Sequence, residues 1–387
     1  MKSEESSARE KLREQFDVVV VGAGPGGSNA CSVALRAGLK VAQIEQLRFP
    51  RIKPCAGGMT VKSCRALQFE LEPSIRGTFN AFELNYWCNR VNRFSHRLPI
   101  LRMVLRPEFD NQLVEQNRRF ANFSFFDQEK VRGVTYDGSF HVQTERRSLQ
   151  ARQLVGADGA YSLVNRTFGI SQPKLLATAV EVNLSRESTS LKQALVPCLD
   201  FGVLEKGYGW VFPKDDHWSV GLYTLASGQK DIRGWLVQYI RDKGFETAAD
   251  PLETFEAHRI PVGGFRLRAP DAPVYIVGDA GGFADAITGE GIYHALESGR
   301  LAGEILCRRH SGKTSHRNYY RKLWKNVLLD TFITYQLAGP FYRFLGRSTR
   351  ALASPLLWRP FVQGYAGGAT FSRSLIGLPF YLLKSVQ

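Results

Sequence analysis

Residues 16–45 read FDVVVVGAGPGGSNACSVALRAGLKVAQIE. The valines at 18–21 form a continuous apolar run of strand length, and a glycine turn follows at once. Small residues then run for the length of a helix to Gly38, a stop signal, before a second β-rich run ends on Glu45. This order predicts a βαβ unit carrying Gly22, Gly24 and Gly27 in the GxGxxG spacing. Gly22 permits the tight turn, Gly24 lets backbone approach a pyrophosphate, and Gly27 lets the helix pack close to the sheet. The helix N-terminus offers unpaired N–H groups to the anion. Glu45, at the tip of the second strand, is placed to accept from ribose hydroxyls and would repel a 2′-phosphate. The stretch therefore predicts a site for FAD or NAD rather than NADP.

Downstream lies LRFPRIKPCAGGMT (47–60), where two prolines and a Gly-Gly pair preclude a helix or a central strand. The loop sets Arg51, Lys53 and Cys55 close together in sequence. A cysteine beside cations is expected to hold a larger thiolate fraction. Residues 80–105 alternate between apolar and polar, which predicts antiparallel strands. LRPEFDNQLVEQNRRF (105–120) then spaces Phe109, Leu113 and Phe120 as an amphipathic helix after Pro107. An Asp137-Gly138 turn between two strand-like runs predicts a hairpin.

Two further glycine turns follow a strand. QLVGADGAYSLVNR (153–166) runs through Gly156, Asp158 and Gly159 into a helix, and APVYIVGDAGGFADAITGEGIYHAL (272–296) closes a strand on Asp279 before a helix near Gly289-Glu290-Gly291. Turns of nucleotide type so widely separated suggest one extended ligand held from both ends, and FAD has that shape. No second GxGxxG unit is present, so a nicotinamide donor would bind transiently, or electrons would come from another carrier. Between these turns, residues 176–265 are β-rich and aromatic. In GYGWVFP, Tyr208, Trp210 and Phe212 alternate and share one face of a strand. By itself such a stripe reads as packed core.

At 387 residues the chain can form two or three lobes. Its six cysteines are scattered without CxxC or metal-ligand spacing, which argues against disulfide and zinc frameworks and fits a reducing, cytoplasmic compartment. Residues 1–15 read as neither a signal nor a transit peptide. The net charge of +15 is concentrated late: residues 301–387 carry 13 Lys and Arg against Glu304 and Asp330. That region also holds DTFITYQLAGPFYRFLGRSTRALASPLLW and SLIGLPFYLLK, but no run reaches the roughly 18 apolar residues of a span. It reads either as a peripheral surface for anionic lipid or as a helical subdomain with a basic solvated face. No reader motif accompanies the charge, which disfavours nucleic acid.

Taken in order, GAGPGG with Glu45, KPCAGGMT, RPEFDNQL, GADGAYSLVNR, GYGWVFP and GDAGGFADAITGEGIYHAL resemble the geranylgeranyl reductase family, within the p-hydroxybenzoate hydroxylase-like flavoproteins. The resemblance covers residues 16–306. It implies an α/β fold with a discontinuous Rossmann-type FAD-binding domain (16–75, 103–172, 268–312). An inserted antiparallel β-sheet substrate domain (76–102, 173–267) and a helical C-terminal region (313–387) complete it. Gly22, Gly24, Gly27 and Glu45 would hold the ADP half of FAD. Arg106 would contact the cofactor, Asp158 would belong to a turn near the flavin, and Asp279 would bond the ribityl chain. The backbone of Gly289, Glu290 and Gly291 would face the flavin pyrimidine ring. Cys55 would assist protonation. Tyr208, Trp210 and Phe212 would line a tunnel for an isoprenoid, which reverses the core reading of that stripe.

Two departures stand out. Ala56 replaces a usual loop glycine, and Tyr223 stands where a second glycine is common after the FP element, which predicts a narrowed or redirected tunnel. The implied activity is reduction of prenyl C=C bonds by reduced FAD, with NADPH or another reductant as donor. A flavin monooxygenase or halogenase acting on an aromatic or polyketide substrate is the alternative, since GYGWVFP distantly resembles the halogenase WxWxIP element. A flavin protein that carries a lipid without turnover is a third reading.

Overall fold

The computed structural model describes residues 14–187, 189–190, 196–226, 228, 231–247, 250–370 and 374. The readings of residues 1–13 and of SLIGLPFYLLK beyond Ser374 lie outside the described residues. The first sheet is built on β1 (Glu14–Val21), flanked by β2 (Val41–Ile44) and β11 (Ser148–Gly156) in parallel. β8 (Phe123–Phe126) extends one side in parallel, and β19 (Val274–Ile276) pairs in parallel with β11. β10 (Phe140–Thr144) and β9 (Val131–Tyr136) add the Asp137-Gly138 hairpin at the other edge. Val18, Val19 and Val20 are fully buried because both faces of this sheet are covered.

Helices α1 (Pro25–Arg36) and α6 (Ile292–His310) pack on it and against each other. Glycines set their approach: a Cβ on Gly299 would lie 2.1 Å from the Gly26 carbonyl oxygen, and one on Gly26 would lie 2.9 Å from that of Ala295. This close crossing brings the start of α6 to the first glycine turn.

The second sheet runs β18 (Glu256–Val262), β12 (Leu175–Ser185), β16 (His217–Thr224), β15 (Gly207–Pro213), β14 (Cys198–Phe201), β5 (Ala81–Tyr86), β6 (Asn89–Ser95). It is antiparallel except for the parallel β14–β5 junction, where two distant parts of the chain meet. A three-stranded sheet of β3 (Gly58–Thr60), β7 (Leu101–Val104) and β4 (Ile75–Phe79) carries the end of the Cys55 loop. β13 (Thr189–Ser190) and β17 (Glu246–Thr247) form a small ribbon.

The shorter helices are α2 (Val61–Arg65), α3 (Arg106–Arg118), α4 (Leu163–Phe168) and α5 (Ile232–Asp242). Helix α5 lies inside a region whose sequence reads as strands. Its WLVQYI core has β-type composition, but Asp231 caps it at 2.9 Å from Gly234 N, and Leu236, Tyr239 and Ile240 supply a helical buried face.

Beyond α6 the chain is helical: α7 (Arg317–Leu323), a π-helical segment Trp324–Leu328, α8 (Leu329–Arg343), α9 (Leu345–Ala353) and α10 (Pro355–Ala366). Phe341, Tyr342, Leu345, Leu352, Trp358 and Val362 pack onto the second sheet, whereas Arg343, Arg347, Arg350 and Arg359 are exposed. Phe341, Tyr342 and Trp358 of the basic tail thus serve as core, whereas Phe344 is exposed. No helix among the described residues is long and apolar enough to cross a membrane.

Candidate active site

One cavity of about 740 Å³ joins the glycine turns to the second sheet. Gly24 to Gly27 form part of its wall at the start of α1, whose N-terminus has no side-chain cap. Gly22 adopts φ +103°, and a Cβ there would lie 2.2 Å from the Ala157 carbonyl oxygen; one on Gly27 would lie 2.4 Å from the carbonyl oxygen of Gly22. A Cβ on Gly24 would meet only Arg51 Nη2, at 3.6 Å, so the fold itself does not require glycine there. An uncapped helix start behind a turn that backbone can approach suits a pyrophosphate. The residues present therefore fit the ADP half of a dinucleotide.

Glu45 closes β2 but does not line the cavity. Its carboxylate accepts from Ala23 N at 3.0 Å and Leu47 N at 3.1 Å. Arg51 lies above the turn, 3.5 Å from Glu45 Oε2 and 3.2 Å from Asp110 Oδ2. Lys53 pairs instead with Asp279 at 3.0 Å. The neighbours in sequence of Cys55 thus have separate carboxylate partners, and Arg106 and Lys214 are cations that interact with Cys55. Arg106 is buried at the start of α3 and forms a fork with Asp110, at 3.0 and 2.8 Å. Burial works against its charge, but Asp110 and Cys55 hold its pKa above the usual guanidinium range.

At the other end of the cavity, Asp279 sits in the 3₁₀ turn Gly278–Ala280. Burial opposes its ionisation, yet Lys53 and His258 hold it well below the usual carboxylate range. Gly289 adopts φ +66°, and Gly291 opens α6 without a side-chain cap. Glu290 is paired with Lys62 Nζ at 2.7 Å and accepts from Thr60 at 3.1 Å. Burial opposes its charge, and Lys62 and His294 keep its pKa low. The Asp158 carboxylate is committed to its own helix, accepting from Ser162 Oγ at 2.5 Å and Val164 N at 3.1 Å; Ala157 and Gly159 of that turn line the cavity.

The Tyr208, Trp210 and Phe212 side chains all line the cavity, as their alternation along β15 requires. Tyr208 donates to Thr288 O, and Trp210 Nε1 donates to Ser219 Oγ at 3.1 Å. Trp210 lies over Gly221, where a Cβ would sit 2.2 Å from the indole. Tyr223 is buried against Tyr208, with ring centroids 5.3 Å apart, and its hydroxyl donates to Ala286 O at 3.0 Å. It occupies space beside Gly289 and ties the second sheet to the turn before α6. Helices α8 to α10 complete the wall through Leu337, Phe341, Leu352, Trp358 and Tyr365.

Sequence reasoning missed Lys62, which pairs with Glu290, His258, which faces Asp279, and the buried Glu181 and Lys214, because each meets its partners only through tertiary packing. Glu181 and Lys214 are buried on neighbouring segments; burial pushes the carboxyl up and the amine down, while each partly restrains the other.

Two glycine-turned helix starts facing one cavity, with an aromatic wall between, define a flavoenzyme of the FAD-binding class. Comparison with known proteins agrees. The FAD binding domain family matches residues 15–248. The chain is 32% identical to an uncharacterized protein of Methanosarcina barkeri, over 93% of this chain and 92% of that one. It is 31% identical to the digeranylgeranylglycerophospholipid reductase of Methanocella arvoryzae, over 76% and 78%. Its fold resembles a geranylgeranyl bacteriochlorophyll reductase-like protein from Thermoplasma acidophilum, with a TM-score of 0.76 at 18% identity over 88% of this chain and 91% of that one. The chain belongs to the geranylgeranyl reductase family of FAD-dependent oxidoreductases.

Proposed function

We propose that the enzyme saturates carbon–carbon double bonds in a prenyl chain of geranylgeranyl type. The observation that carries this reading is the single cavity in which the glycine turns, Cys55 and a wall of Tyr208, Trp210, Phe212 and Tyr223 are contiguous. An extended apolar chain suits such a wall because the buried tyrosine and tryptophan polar atoms already have protein partners, leaving apolar ring surface to the cavity.

Gly22, Gly24, Gly27 and Glu45 would hold the ADP half of FAD, with Arg51 at hand for the pyrophosphate. Arg106, the Asp158 turn and Asp279 would hold the middle of the cofactor, and the Gly289–Gly291 backbone would face its pyrimidine ring. Bound and reduced, FAD supplies the hydride for one alkene carbon. Cys55 would give the proton to the other carbon, and the aromatic wall would orient the alkene and exclude water. NADPH or another reductant would restore the cofactor. Incubation of the FAD-loaded enzyme with a geranylgeranyl lipid and dithionite or NADPH should add two hydrogens in mass per reduced bond. No gain with several prenyl donors, despite a reducible flavin, overturns the reading.

Peripheral contact with membrane belongs to the same reading. Residues 331–370 contain no acid, and Arg343, Arg347 and Arg350 are exposed beside Phe344, which also reaches the cavity. The enzyme should sediment with anionic vesicles but not neutral ones. At about 1 kcal/mol per basic side chain, Arg343→Ala with Arg347→Ala should weaken partition roughly 30-fold. Equal sedimentation of the double variant would dismiss this face.

A further inference from the structure

Cys55 sits in a loop with no regular structure before β3, so its place in the cavity has to be fixed from outside. Three observations identify the fixing group. Glu181 Oε1 accepts from the Cys55 backbone N–H at 2.6 Å. Its Oε2 accepts from Ser219 Oγ at 3.2 Å, and Ser219 Oγ accepts in turn from Trp210 Nε1 at 3.1 Å. Glu181 comes from β12 opposite Gly221, the residue over which the Trp210 ring lies. One buried carboxylate therefore spans the loop that carries the thiol and the strand that carries the wall.

Burying a carboxyl is costly unless both oxygens are used, and a carboxyl is one of few groups with two acceptors at this separation. The same loop is closely packed at Gly57, where a Cβ would lie 3.4 Å from Lys214 Nζ and 2.0 Å from Val104 O. The loop is thus pinned at Cys55 and left no slack at Gly57.

We infer that Glu181 is the positioning residue of the Cys55 loop, coupling the thiol's location to the Trp210 wall through Ser219. This rests on the reading that Cys55 works in the cavity, but the coupling can be tested apart from it. Amide hydrogen exchange at Cys55, measured by mass spectrometry on the FAD-loaded protein, is the direct readout. Glu181→Leu removes the acceptor of the buried Cys55 N–H and should speed that exchange about 10- to 100-fold. Glu181→Gln keeps an acceptor for Cys55 N–H and should stay near the parent. Should the leucine variant fail to fold, Glu181→Asp, one methylene too short to span both partners, reads the same effect.

Ser219→Ala should accelerate the exchange less, and its effect should not add to that of Glu181→Leu, as expected of one chain of contacts. Turnover of a prenyl lipid should fall with the exchange, in kcat rather than KM, by about 10- to 100-fold, while FAD content holds. Unchanged exchange in Glu181→Leu, or a Gln variant as fast as Leu, overturns the proposal. Faster exchange with unchanged turnover upholds the positioning and removes Cys55 from the chemistry. An absence of prenyl turnover in the parent enzyme leaves the exchange result to decide alone.

Discussion

Gly22→Ala is expected to purify without bound FAD. The new methyl would sit 2.2 Å from the Ala157 carbonyl oxygen, a backbone atom of the neighbouring strand's turn that has no rotamer to change. The position also has φ +103°, where a side chain is strained whatever the space. The turn must therefore shift, and it carries the start of α1 with it. Displacing that helix start misaligns the N–H groups that would meet the pyrophosphate, and a misplacement of about 1 Å costs on the order of 100-fold in such a site. The ratio of flavin to protein absorbance after purification, with added FAD as a rescue, checks this. Gly24→Ala separates ligand from fold. Its methyl meets only Arg51 Nη2 at 3.6 Å, so the apoprotein should melt as the parent does while binding FAD more weakly. A Gly22→Ala protein that keeps full flavin would show that the turn does not hold the cofactor.

These glycines could be read directly because their constraint is local. A strand, a tight turn and a helix start follow one another within a few residues, so spacing alone reports geometry. The same holds for the Gly289–Gly291 turn and for the alternation of Tyr208, Trp210 and Phe212. Whether that stripe was wall or core was not local, because it depended on what faces β15. The stripe packs in a buried cluster with Phe341, Tyr342 and Trp358 of α8 and α10 and also lines the cavity, so the two readings are not exclusive.

The Arg51-Lys53-Cys55 cluster misled for the opposite reason. Three residues close in an irregular loop need not point the same way, and here Arg51 turns to Glu45 and Asp110 while Lys53 turns to Asp279. Cations that interact with Cys55 come instead from residues 106 and 214, far on in the chain. Glu181 was equally hidden. It is one of several polar residues on β12, and only the β12–β16 register shows it reaching both Ser219 and the loop.

Cys55→Ala is expected to lower turnover of a prenyl lipid by about 100- to 10,000-fold, the range for loss of a positioned acid, with FAD content unchanged. Several other acidic groups of the cavity have their protons or charges engaged. Tyr208 donates to Thr288 O and Tyr223 to Ala286 O, and burial pushes both hydroxyls up, away from acid duty at neutral pH. Asp279 and Glu290 are held ionised by Lys53 and Lys62. Asp285 is occupied in accepting from Ile287 N and Thr288 N. Glu181 spends both oxygens on the loop and Ser219. Cys55 lines the same cavity with its side chain interacting with the Arg106 guanidinium, a cation that would offset the charge left by proton transfer. Cys55→Ser tests that last point, because a hydroxyl of similar size is a far weaker acid and should recover little of the lost rate. Arg106→Lys should then lower turnover further from the parent than its effect on FAD content explains, since a point charge cannot keep the fork to Asp110 and face the sulfur together. Full turnover in Cys55→Ala would move the proton source to water and leave Arg106 with a role in cofactor binding alone.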